Sequence, residues 1–147
     1  MFLNELSREL GTAYINLLVE FALVDDKVEE QEKELIERAL KEMNMENFDL
    51  EEVSHEETIN IIKNAGGRII NIVFFELTRV ALADAEYEMS EVRFLDDLAE
   101  ELNISRVKRF QMADYFYKHS EYDEGDIESQ ESAKIEAQAF LNQKLNK

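Results

Sequence analysis

The stretch ALADAEYEMSEVRFLDDLAEELNI, residues 81–104, decides the fold. It begins as the end of an apolar helix, breaks at Asp84, and resumes from about Met89 to Leu102. Its apolar side chains there recur at three- and four-residue spacing, as in a helix with one buried face. The corner between the two helices, DAEYEMSE, uses neither Gly nor Pro, the usual helix stops. An earlier stretch, ALVDDKVEEQEKELIERALKEMNM at residues 22–45, has the same design. Displacing the chain by 59 residues aligns the two with seven identities in 24 positions: Ala22 with Ala81, Leu23 with Leu82, Asp25 with Asp84, Glu29 with Glu88, Glu32 with Glu91, Glu42 with Glu101 and Asn44 with Asn103. Leu35 and Phe94, Ile36 and Leu95, Met43 and Leu102, and Met45 and Ile104 preserve apolar character. The duplication predicts two related helix–loop–helix units with approximate two-fold symmetry; two copies are too few to stack as a solenoid.

Each corner reads D-x-x-Φ-E-x-x-E, with Φ apolar. Asp25 or Asp84 ends one helix. Glu29 or Glu88 falls at the start of the next, and Glu32 or Glu91 three residues further on. That is the frame of a capping box, with Glu where Ser, Thr, Asp or Asn caps better. Carboxylates near a helix N-terminus are also favoured by its dipole.

Working outward, the same periodicity predicts a first helix over about Leu3–Val24 and a second from about Glu30 to Asn44. A turn of helix is expected near Leu50–Val53, then a third helix over Glu56–Ala65, broken by NAGG. The fourth, Gly67–Ala83, is apolar nearly all round (Ile69, Ile70, Ile72, Val73, Phe74, Phe75, Leu77), as a central buried helix is. A fifth covers Met89–Leu102 and a sixth Arg106–Lys118, the latter with Val107, Phe110, Met112, Ala113, Phe116 and Tyr117 as its apolar residues. The expected architecture is all-α: one domain of about seven helices, with residues 1–120 as the helical body. Residues 121–147 are an acidic loop plus a weakly amphipathic helix, Ile127–Leu145, that docks on the body or stands away from it.

Composition agrees. The chain has 147 residues, 45% of them hydrophobic, with no Pro and four Gly, too few turn formers for an all-β fold. The net charge of −18 argues against nucleic-acid phosphates and anionic membrane surfaces as partners. Cations, or a basic patch on another protein, fit better. Without cysteine there is no disulfide framework, thiolate metal site or Cys nucleophile, a composition that fits a reducing cytoplasm. The first ten residues, MFLNELSREL, do not read as a signal peptide, and no apolar run is long enough to span a bilayer. A cytoplasmic location is expected.

The corners carry a resemblance. ALVDDKVEEQE at 22–32 and ALADAEYEMSE at 81–91 are similar to the pattern A-x-x-D-G-x-Φ-S-x-x-E repeated at helix corners of TerB-like proteins. That tellurite-resistance family shares its fold with the N-terminal domain of DjlA-type co-chaperones. The similarity extends across roughly residues 10–118. The family's Gly is replaced by Asp26 and Ala85, and its cap Ser by Glu29 and Glu88. The resemblance implies an acidic, cation-binding or stress-associated helical module.

Two functional readings stand side by side. In the first, Asp25, Glu29, Glu32, Asp84, Glu88 and Glu91 meet across the pseudo-symmetry axis and bind a hard divalent cation, Ca²⁺ or Mg²⁺, through carboxylate oxygens. The corner is no EF-hand, since Met89 and Leu95 stand where that loop needs Gly and Glu. In the second, the corners only shape the fold and the chain is an adaptor for a protein partner or for self-association. Phe110, Tyr115, Phe116, Tyr117 and Tyr122 make an aromatic group around the sixth helix, mostly core, with a remainder free to anchor a partner. RVKRF at 106–110 is the one concentration of positive charge, expected to neutralise neighbouring carboxylates. An enzyme is not expected. His55 and His119, the two histidines, lie in polar stretches and are read as solvated, and no nucleophile, phosphate-loop or metalloprotease motif occurs.

Overall fold

A computed structural model describes residues 2–24, 29–46, 51–83, 89–118 and 141; for residues 29–32, 83, 117 and 118 it describes the backbone alone. The described residues are all-helical: a 3₁₀ turn, Leu3–Glu5, then α1 Arg8–Val24, α2 Glu29–Glu42, α3 His55–Asn64, α4 Gly67–Ala83, α5 Met89–Glu101 and α6 Arg106–Lys118. The seventh helix expected at 127–145 lies outside the described residues except at Leu141. That residue is helical and fully buried, and its carbonyl accepts a hydrogen bond from Asn71 Nδ2 at 3.0 Å.

The first expected helix is divided. Leu6 is extended (φ −80°, ψ 136°), so the 3₁₀ turn folds Phe2 and Leu3 back into the core before α1 starts. Residues 51–54 are not helical, against the turn expected near Leu50–Val53, whose first residue lies outside the described residues; Asn16 of α1 holds them instead, accepting from the Val53 N–H and donating to the Glu51 carbonyl. Ser54 then caps α3 by accepting the Glu57 N–H at 3.2 Å, and Gly66 (φ 98°) separates α3 from α4 in a conformation suited to Gly.

The internal repeat is visible in how α2 and α5 end. Asn44 and Asn103, paired in the 59-residue alignment, both take left-handed backbone (φ 56° and 59°). Behind each, the next N–H bonds back five residues: Met45 to the Leu40 carbonyl and Ile104 to the Ala99 carbonyl, both at 2.8 Å. This is the Schellman arrangement, with Asn in the place Gly usually fills. It turns Met45 and Ile104 into the core in both units. The helices that follow are placed alike, α3 against α1 and α6 against α4. At the centre of the packing, α4 buries every side chain from Asn71 to Thr78. Phe75 meets Phe2 edge-on and stacks obliquely on Tyr115 and Phe116 at centroid distances of 5.3 and 4.7 Å. Rings in such arrangements add attraction beyond their buried area.

Candidate functional site

Three groups of polar or exposed residues stand out from this apolar packing. The first is the pair of acidic corners. Asp25, Asp84 and Glu88 lie outside the described residues, and Glu29 and Glu32 are described only as backbone in the first turn of α2. Glu91 is described: it sits in the first turn of α5 and is 1% exposed. Its burial was not legible from the capping frame, which places a carboxylate at that position facing the helix end and water. Among the described residues no group of three His, Asp or Glu is arranged to hold a metal ion.

The second group is a set of charged residues, one of them fully buried, held by partners distant in the chain that the sequence pattern concealed. Glu76, in the buried middle of α4, is 0% exposed. It accepts the Phe2 N–H at 2.8 Å and Arg79 Nε at 3.0 Å. Glu42, at the end of α2, accepts the Leu3 N–H at 2.9 Å and lies 3.9 Å from Arg79. Burial opposes the charge of Glu42, but the hydrogen bond from Leu3 and the nearby Arg79 help hold its carboxyl below the usual range. For Arg79, burial works against the cation and the charges of Glu76 and Glu42 outweigh it. A buried carboxylate without such partners would be strongly unfavourable. These two therefore fix the incoming strand of chain to α2 and α4.

His55 joins the second group and corrects the solvated reading. Placed by Ser54 at the start of α3, its ring reaches two other helices. Nδ1 lies 2.9 Å from Glu20 Oε1 of α1, and Nε2 lies 2.9 Å from Glu101 Oε2 of α5. A neutral imidazole donates from only one nitrogen, so both contacts are satisfied together only by the imidazolium. Partial burial disfavours that cation, but the hydrogen bonds and charges of Glu101 and Glu20 prevail and raise the pKa. Both ring nitrogens are thus committed to carboxylates on opposite sides of the ring. His119 lies outside the described residues.

The third group is α6. Its inward stripe is Lys108, Met112 and Tyr115, continuing from Ile104 just before the helix, all buried. Val107 and Phe110, expected among the helix's apolar residues, consequently fall on the opposite face, 62% and 76% exposed. The helix is rotated this way because the left-handed Asn103 drives Ile104 inward, and the residues four, eight and eleven positions later follow it on one face. Tyr115 is core and Phe116 half-buried; the Tyr117 side chain and Tyr122 lie outside the description. Of the basic cluster, Arg109 neutralises Asp96 at 2.9 Å, as expected. Lys108 instead lies inside, 3.5 Å from Asn71 Oδ1, where burial pulls its ammonium below the ordinary range. Arg106 remains exposed beside Val107 and Phe110. No helix among the described residues is long and apolar enough to cross a membrane. Comparison with protein-family models, curated proteins and solved structures finds no match.

Proposed function

We propose that this chain is a non-enzymatic, TerB-like helical module that docks a protein partner on the outer face of α6. The observation that carries the reading is Phe110: a large aromatic side chain 76% exposed, with Val107 one turn away. Aromatic and arginine side chains are the usual anchors of protein interfaces. Arg106 beside them suits an apolar pocket rimmed by carboxylates. The commitment of both His55 nitrogens to Glu20 and Glu101 supports the non-enzymatic part of the reading, because that imidazole has no free nitrogen for proton transfer. The resemblance of the corners adds a stress-associated role, and the cysteine-free composition fits a cytoplasmic setting. The test is co-purification from cells with wild type, Phe110→Ser and Arg106→Glu, with Glu37→Ser on α2 as a surface control. The reading expects a discrete partner retained by wild type and the control and lost with both α6 variants. Equal retention by all four proteins overturns it.

Burial of Glu91 favours a second reading, in which the corners bind Ca²⁺ or Mg²⁺. A carboxylate taken out of water at the start of α5 is what a hard-cation site needs. Unfolding in EDTA and in each cation at fixed ionic strength tests it. A ligand at a hundredfold excess over its Kd stabilises by about 2.7 kcal/mol, and Asp25→Asn with Asp84→Asn should abolish that gain. Equal shifts with every cation mean relief of charge repulsion and overturn it.

A further inference from the structure

A cleft of about 320 Å³ lies between α1, α2 and α4. This is near the lower end of the size range for small-molecule sites, roughly 300–1,000 Å³. Its polar wall presents Tyr14, Arg38, Arg79 and Glu42, and its apolar wall includes Leu18, Leu35 and Val80. In a chain with 34 acidic and 16 basic residues, a cleft with two arginines against one glutamate runs counter to the whole.

The hydrogen-bonding capacity is also one-sided. Tyr14 is 1% exposed and lines the cleft. Burial, with the negative charges of Glu76 and Glu42, pushes its pKa far up, so the phenol is always a donor. Arg79 uses Nε on Glu76, and its Nη2 reaches Glu42 only at 3.9 Å, which leaves outer N–H groups for an acceptor in the cleft. Arg38, mostly exposed, is 3.6 Å from Glu34, beyond a good hydrogen bond, and can turn across the opening. A phenol donor and a guanidinium on the walls of one cleft suit an acceptor between them.

We propose that this cleft binds a small monocarboxylic acid with an apolar body, its carboxylate held by the Tyr14 hydroxyl, Arg79 and Arg38 and its body against Leu18, Leu35 and Val80. A monoanion fits better than a phosphate dianion because Glu42 on the cleft wall and Glu76 against Arg79 already offset much of the positive charge and repel a second negative one. A cation has Glu42 alone to approach, and that carboxylate is already engaged by Leu3 and flanked by Arg79.

The experiment is titration of the full chain with phenylacetate and with phenylacetamide at constant ionic strength, followed by ¹H–¹⁵N NMR. Tyr14→Phe removes only the hydroxyl, and Arg38→Gln changes an exposed side chain, so both variants keep the fold. The expected result is saturable phenylacetate binding with shifts concentrated on the three helices around the cleft. Loss of a hydrogen bond to a charged group corresponds to about tenfold in affinity, expected for the amide and for each variant. No saturation up to about 20 mM, the range where weak small ligands still register, overturns the proposal. So does binding that is indifferent to the amide and to both variants.

Discussion

Raising the pH should loosen the protein specifically at His55. The imidazole ties α3 to α1 through Glu20 and to α5 through Glu101, each at 2.9 Å. Its pKa is raised in the fold. The clamp's stabilisation is therefore complete below the unfolded-state value of 6.5 and is lost as pH climbs through the higher folded-state value. Above that, one nitrogen turns a lone pair toward a carboxylate. All three side chains are more than a third exposed, at 39%, 36% and 38%, so solvent screens both pairs. Each pair then contributes about 0.5 kcal/mol, and the clamp about 1 kcal/mol. Urea unfolding of wild type and His55→Gln at about pH 6 and about pH 8.5, on either side of the ordinary histidine range, isolates this increment from the titration of all other groups. Wild type should lose about 1 kcal/mol more than the variant across the window, and Glu20→Gln and Glu101→Gln should each remove about half of that difference. Identical pH dependence in wild type and His55→Gln would refute the reasoning, as would a wild type that gains stability relative to the variant as pH rises.

Three further predictions concern the fold. Glu76→Ala removes the 2.8 Å acceptor of the Phe2 N–H and deprives Arg79 of its 3.0 Å partner; thermal and urea unfolding should show a loss of about 3 kcal/mol, the lower end for breaking a buried pair. Gly11→Ala improves helix propensity by about 1 kcal/mol, yet its Cβ would stand 2.5 Å from Met45 Sδ and 3.1 Å from Met43 Sδ, both in the core. Overpacking costs about 1–3 kcal/mol, so the variant should melt lower than wild type, and a higher melting temperature would show that the two methionines yield freely. Asn44→Ala and Asn103→Ala, equivalent in the repeat, should each cost about 1 kcal/mol for an alanine in left-handed backbone, and a large inequality between them in urea unfolding would argue against equivalent helix ends.

The all-helical architecture was legible because buried faces leave a 3.6-residue period, and the repeat because both helix ends need the same residues. Asn44 and Asn103 aligned in sequence before their shared left-handed backbone gave the alignment a physical cause. The rotation of α6 was not legible, since RVKRFQMADYF offers two apolar faces and the periodicity does not choose between them. The choice is made by the turn at Asn103, and it sends Val107 and Phe110 to water and Lys108 inside. Nor was the fate of the charged residues. The partners of Glu76 and Glu42 leave no local mark in the sequence, because they are the backbone N–H groups of Phe2 and Leu3, far away along the chain. His55 in SHEE reads as solvated for the same reason, because Glu20 and Glu101 come to it only through the packing of three helices.

The docking role of α6 is tested most directly by photo-crosslinking in living cells, with a benzophenone amino acid in place of Val107 and Phe110 left intact. The account predicts one discrete protein adduct, which disappears when Arg106→Glu is added and is absent when the same probe replaces Glu37 on α2. No adduct from position 107, or the same adducts from positions 107 and 37, would contradict it.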